Sequence, residues 1–101
     1  MTRYTTVTLG RNIGAQPMPD EAWLRFRSRV SDVIGSPTFT FSGVGSWDGI
    51  EEESLQMVWL DAPDGAISAA RGILPIIARE FSQDAIALSD GESELVTGAS
   101  L

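Results

Sequence analysis

A chain of 101 residues, 43% hydrophobic and 21% charged, is long enough to form one domain with a sizeable core. It contains no cysteine, histidine or lysine, which excludes disulfides, thiol chemistry, histidine-based triads and lysine Schiff bases. Its formal net charge of -7 argues against nucleic-acid binding, which needs clustered basic residues. Carboxylates, hydroxyls, arginine and one tyrosine are the main reactive groups that remain.

Composition also disfavours membrane insertion and metal binding. The sequence has no run of about 18 apolar residues, and its N-terminus lacks the charged and then apolar segments of a leader. We therefore expect a non-membrane protein located in the cytoplasm. Because imidazole and thiolate ligands are absent, we expect neither a metal nor a cofactor.

The first predicted elements are a strand and a helix. Residues 4–9 are rich in β-branched and aromatic side chains and alternate in polarity, which predicts a half-buried strand. After a turn-rich loop, Pro19 and the two acidic residues that follow it favour the start of a helix, and Gly35 favours its end. The apolar stripe of this helix consists of Trp23, Phe26, Val30 and Val33.

The next segment predicts a β-hairpin. Apolar and polar residues alternate on both sides of a glycine-containing turn, and the apolar sets are Phe39, Phe41 and Leu55, Met57, Trp59. A two-residue turn over residues 48–49 would place Phe41 opposite Gln56, whereas a three-residue loop over residues 47–49 places it opposite Leu55. Because a shift of one residue sends one apolar set to solvent, we expect the three-residue loop, with its glycine in the left-handed conformation.

A second helix is predicted over residues 62–81. Asp61 is the expected N-cap, and Pro75 is expected to kink or divide the helix because it removes one backbone hydrogen bond. The buried stripe of this helix consists of Ile67, Ala70, Leu74, Ile77 and Phe81.

The C-terminal part predicts strands. Residues 84–89 form a strand with Ile86 and Leu88 inward, and Asp90 with Gly91 offers a turn into a short strand over residues 94–97. The element order is then β-α-β-β-α-β plus a C-terminal β-hairpin arm, in one domain. This order predicts an α+β fold of the ferredoxin-like plait, an antiparallel sheet with two helices on one face.

The hairpin is the main candidate site. In the expected register Gly45 faces Glu51 and Gly43 faces Glu53, so two carboxylates lie over two glycines, and Trp47 is at the tip. Strands of about ten residues span roughly 33 Å and helices of about fifteen roughly 22 Å, so the tip should extend past the helices. A shallow pocket for a cation, a sugar or a partner's arginine is one interpretation. Glycines that permit twist, with acids that prevent edge pairing, are the other.

Two further surfaces are candidates for binding. Arg11 and Asn12 lie in a glycine-containing loop that either binds an anion through backbone N–H groups or is a plain turn. The sheet face without helices is expected to carry Tyr4, Thr6, Thr8, Thr38, Thr40, Ala85 and Ala87. This mildly polar face is either solvated or stacked against a second copy in a symmetric dimer.

Several short motifs carry a resemblance to a known family. They are LGR near Leu9, DEAW followed by FRSRV, GVGSWDGIEEES, and AREFSQDAIAL over residues 78–88. With these motifs the chain resembles a family of small bacterial and phage-encoded proteins of unknown function. The resemblance spans residues 6–88 and bears on the fold, and it implies no catalytic residues.

Three functional hypotheses follow from these observations. The first is a non-enzymatic binding module, expected to be a homodimer, that holds a small ligand or a partner segment near Trp47, Glu51, Glu53 and the loop of Arg11 and Asn12. The second is an acidic, phage-derived inhibitory protein that binds a basic surface of a host or defence protein. The third is a small enzyme of the dimeric α+β barrel type, which requires an apolar cavity between sheet and helices.

Overall fold

The computed structural model describes residues 2–10, 12–13, 16–47, 49–83 and 85–94. The elements in chain order are the strands and helices β1 (Thr2–Gly10), β2 (Asn12–Ile13), β3 (Gln16–Pro17), α1 (Asp20–Ile34), β4 (Phe39–Trp47), β5 (Ile50–Leu60), α2 (Asp64–Glu80) and β6 (Ala87–Ser93). Four strands form an antiparallel sheet in the order β4-β5-β1-β6, and β2 pairs with β3. The predicted α+β fold with an antiparallel sheet and two helices is confirmed.

Both helices pack against one face of the sheet. The buried residues of α1 are Phe26, Val30 and Ile34, and those of α2 are Ile67, Ala70, Leu74, Ile77 and Ala78. All of these except Ala78 form one core with the sheet residues Val7, Leu9, Leu55, Met57 and Trp59. Every residue of the stripe predicted for α2 is buried, whereas Trp23 and Val33 of the α1 stripe are partly buried beside the core.

The ends of α2 differ from the prediction. Its N-cap is Pro63 rather than Asp61, whose backbone has a φ of 58° and whose carboxylate accepts a hydrogen bond from the Arg3 backbone N–H. Asp61 therefore ties the end of β5 to β1 instead of capping the helix. The helix also runs through Pro75 without dividing, because a single missing hydrogen bond is tolerated where packing holds both halves.

The C-terminal strand runs where a turn was expected. β6 extends straight through Asp90 and Gly91, which pair with Thr5 and Tyr4 of β1, so the predicted Asp90-Gly91 turn is wrong. The aspartate is held in the sheet by side-chain hydrogen bonds to β1, which outweigh its turn preference. Residues 95–97 of the short strand predicted over residues 94–97 lie outside the described residues.

A side-chain hydrogen bond joins α1 to the sheet, and an ion pair joins α1 to α2. The Trp59 indole N–H donates to the Gly35 carbonyl oxygen at 2.8 Å, which fixes the end of α1 against β5. Arg29 of α1 donates two hydrogen bonds to the Glu80 carboxylate of α2, at 2.7 and 3.1 Å. Neighbouring Glu80 raises the pKa of Arg29 through these hydrogen bonds.

Candidate functional site

The β4–β5 hairpin extends beyond the rest of the sheet. β1 pairs with β5 from Leu60 only as far as Ser54, so the last residues of the hairpin have no β1 neighbour. We call residues 44–47 and 50–53 the hairpin arm. The arm extends past the end of β1, and the expected extension past the helices stays a prediction.

The register of the hairpin differs by one residue from the expected one. Trp47 pairs with Ile50, so the loop is the two-residue turn, and Phe41 lies opposite Gln56 rather than Leu55. Gly49 has a φ of 76°, the left-handed conformation that such a turn needs. The turn geometry therefore sets the register.

The pairing of the acidic residues with glycines was consequently wrong. Glu51 lies opposite Ser46 and Glu53 opposite Val44, on the face of the arm that continues the helix side of the sheet. A Cβ on Gly45 would come within 2.5 Å of the Ser54 hydroxyl oxygen, so the absence of a side chain at Gly45 makes room for Ser54.

Only part of the predicted site can be located. Arg11 lies outside the described residues, and for Asn12 and Trp47 the structure describes the backbone alone. Glu51 and Glu53 are both exposed and share one face of the arm. Within the described ranges, no group of three or more carboxylates is close enough to hold a metal ion.

The sheet face away from the helices carries aromatic side chains that were predicted on the opposite face. In the observed register Phe39 and Phe41 lie on this open face, with side chains 48% and 51% exposed and ring centroids 5.9 Å apart. Thr40, which was expected here, lies opposite buried Met57 on the helix side instead. Tyr4 adds a third exposed aromatic ring.

The change of face has a physical cause in β5. Met57, Val58 and Trp59 are consecutive and all buried, so β5 is apolar on both faces here. Val58 lies opposite Phe39 on the open face and is fully buried. The phenylalanines of β4 therefore find an apolar neighbour without facing the helices.

Charge is absent from the main part of this face. In the rows where β5 pairs with β1, the open-face residues of the four strands are Tyr4, Thr6, Thr8, Gly10, Phe39, Phe41, Gly43, Ser54, Gln56, Val58, Leu60, Ala87, Ser89 and Gly91. We call this set the open face. In a chain of net charge -7, an uncharged surface with exposed aromatic rings is typical of a contact surface.

A second polar cluster joins β1, β6 and α2. The guanidinium of Arg3 donates two hydrogen bonds to the Asp90 carboxylate, at 2.8 and 2.7 Å, and also contacts Asp64 of α2 and the Ala62 carbonyl. The buried Thr5 hydroxyl donates to the same Asp90 carboxylate at 2.9 Å. The sequence signal for this cluster was the alternation of Leu88 and Asp90, which the turn prediction obscured.

The electrostatics of this cluster are those of a structural ion pair. Hydrogen bonding from Arg3, with a further hydrogen bond from Thr5, lowers the pKa of Asp90 to about 2. Hydrogen bonds to Asp90 and then Asp64 raise the pKa of Arg3. A shallow cleft of about 330 Å³ lies beside the pair, lined by Arg3, Asp90, Gly91 and Glu92. Since Arg3 is already engaged by three partners, the cluster fits a structural tie better than an anion site.

Comparisons of the chain with protein-family models, with curated proteins and with solved structures find no match. In the part of the chain that the structure describes, neither helix has the length and apolar character needed to cross a membrane. The function is therefore proposed from the open face and the hairpin arm.

Proposed function

We propose that this protein is a non-enzymatic binding module that acts as a homodimer, with the open faces of two copies stacked on each other. The observation that carries the proposal is the half-exposed pair Phe39 and Phe41 on an otherwise uncharged sheet face. Water contact at these rings is unfavourable, and a second copy of the same face removes it without placing like charges together.

The size of the open face suits a dimer of modest affinity. Four strands spaced about 4.8 Å apart and a ladder of seven residues measure roughly 19 Å by 24 Å. This is roughly 450 Å² in projection, and the ridged accessible surface is larger, near the roughly 600 Å² per copy at which small specific interfaces begin. Stacking by this face leaves the hairpin arm free to hold a ligand or a partner segment.

The alternatives receive less support from the geometry. An acidic inhibitory protein would use Glu51 and Glu53, which are exposed on the arm, but this role does not account for the aromatic open face. An enzyme of the α+β barrel type needs a cavity between sheet and helices. The side chains that fill this region include Phe26, Met57 and Ile77, each fully buried.

We also propose a fold class and a family for this chain. Apart from the two short strands β2 and β3, the element order is β-α-β-β-α-β, and together with the sheet order β4-β5-β1-β6 it supports classification as a ferredoxin-like plait. The motifs quoted above support membership of the family of small bacterial and phage-encoded proteins.

The proposal is tested by native mass spectrometry of gently desalted protein together with sedimentation equilibrium. The expected result is a reversible dimer whose fraction rises with concentration in the micromolar range, with or without a retained small molecule. A strictly monomeric protein at millimolar concentration would refute the dimer.

A further inference from the structure

We infer that the outer edge of β4 binds an extended segment of a partner protein by strand addition, and that this segment alternates basic and apolar residues. The inference deepens the proposed binding function, because it names the kind of partner that the module holds. It does not depend on the dimer, which uses the open face rather than the edge.

The two edges of the sheet are protected to different degrees. Within the described residues β6 and β4 are the edge strands, and β6 carries Asp90 and Glu92. β4 has the sequence FTFSGVGSW, nine residues without a charge or a proline. Charged residues and proline are the usual protection of an edge against pairing, so β4 is open to an added strand.

The direction of the backbone groups follows from the turn. Residues that flank a two-residue hairpin loop form a hydrogen-bonded pair, so Trp47 directs its N–H and C=O groups towards Ile50. The alternate residues of β4, Val44 and Ser46 among them, then direct theirs outward. These outward groups are the ones that an added strand would engage, and the Val44 side chain is 73% exposed.

Charge favours a basic partner over a second copy at this edge. Glu53 and Glu51 lie opposite Val44 and Ser46, one strand behind the edge. A strand added to β4 has its residues roughly 10 Å from the same rows of β5, which long side chains span when they lean together. The arm contains no basic residue, so a second copy paired with this edge would add no basic side chain beside the glutamates.

The two faces of the added strand therefore have different requirements. Residues opposite Val44 and Ser46 share a face with the glutamates, and arginine or lysine fits there. Residues at the alternate positions lie beside Phe41 on the open side, where apolar side chains fit. The partner chemistry is thus an alternating basic and apolar segment in extended conformation.

The experiment is titration of the uniformly ¹⁵N-labelled full chain with the capped peptide RVRVRVRVR, followed by amide chemical shifts. The expected result is saturable binding with the largest shifts at the amides of Phe39–Trp47. The matched control peptide is methylated at the backbone nitrogen of every second residue, and it should bind at least about tenfold more weakly. Equal binding of both peptides, or shifts elsewhere, would overturn the inference.

Two comparisons, each of a protein variant with a matched control, separate binding at the edge from general electrostatic attraction. Val44→Pro removes one outward N–H without disturbing the β4–β5 ladder and should reduce peptide binding about tenfold, whereas Val44→Thr should leave it unchanged. Glu51→Gln with Glu53→Gln should weaken binding by about threefold to fivefold. The control pair Glu21→Gln with Asp32→Asn makes the same change in net charge on α1 and should have a smaller effect. If both pairs weaken binding equally, the partner recognises overall charge and the inference fails.

The oligomeric state is measured on the same samples by sedimentation. Peptide binding by a monomeric protein would support the edge and refute the dimer, whereas a dimer without peptide binding would do the reverse. Dilution-dependent shifts confined to β4 in the absence of peptide would show self-pairing at this edge and overturn the choice of partner.

Discussion

Replacing Phe41 by serine should convert the proposed dimer into a monomer without unfolding the chain. The side chain is 51% exposed in a single copy. A phenylalanine ring has roughly 200 Å² of surface, so about 100 Å² per copy remains for an interface to cover. The symmetry of a dimer doubles this to about 200 Å².

The magnitude follows from the apolar area. At about 25 cal/mol per Å², complete coverage of both rings contributes about 5 kcal/mol to association, and half coverage about 2.5 kcal/mol. Each 1.4 kcal/mol is about tenfold, so the dimer dissociation constant should rise by a factor between roughly 60 and several thousand. Either value abolishes a micromolar dimer at ordinary concentrations.

Sedimentation equilibrium over a wide range of concentration measures this change, and urea unfolding of the monomer checks the fold. The matched control is Leu24→Ser, since Leu24 is 57% exposed on α1, away from the open face. Its dissociation constant should stay within about threefold of the unsubstituted protein, because isolated exposed apolar residues contribute little. If Phe41→Ser leaves the dimer intact, or if Leu24→Ser weakens it equally, the stacking of open faces is wrong.

Three further predictions concern the stability of the fold. The folded-state pKa of Asp90, about 2, lies below its ordinary value of 3.8, so its stabilisation is complete above about pH 4 and is lost as the pH falls towards 2; urea midpoints should therefore fall more steeply over this range for the unsubstituted protein than for Asp90→Asn. Trp59→Phe removes the donor to the Gly35 carbonyl and should lower the free energy of unfolding by about 1 kcal/mol. An unchanged or higher free energy of unfolding would contradict this prediction. Gly49→Ala should cost about 1 to 2 kcal/mol in thermal or urea unfolding because of the positive φ, whereas Gly65→Ala, in open space on α2, should be neutral or stabilising; the reverse order would contradict the assigned turn.

The helices could be predicted from the sequence because the spacing of their apolar residues is a local pattern that repeats along each helix. In α2 the spacing of Ile67, Ala70, Leu74 and Ile77 defines one face, and no competing period explains it. Pro75 does not divide α2, since a single missing hydrogen bond costs less than the burial of that stripe contributes, and a kink at Pro75 stays a prediction. Asp61 could not be assigned correctly because its partner, the backbone N–H of Arg3, is distant in sequence.

The register of the hairpin was not accessible by the same reasoning. Alternation assigns apolar sets to faces only if each strand has one buried face, and β5 has two at Met57, Val58 and Trp59. The turn decided between the registers, since both were compatible with the pattern. The acidic residues of the candidate site moved with the register, so Glu51 and Glu53 kept their exposure but lost the glycines opposite them.

The double burial in β5 also connects the fold to the proposed function. Helices on one side of the sheet are enough to bury a strand with one apolar face. Val58 lies on the other side, where no described helix packs, so its burial requires other side chains. Phe39 lies opposite Val58 on that side, but about half of Phe39 is itself exposed to water. Unfavourable contact between an apolar side chain and water therefore remains on this face. In the proposed dimer, a second copy stacked on the open face would cover these rings, and the uncharged edge of β4 would stay available to the proposed partner strand.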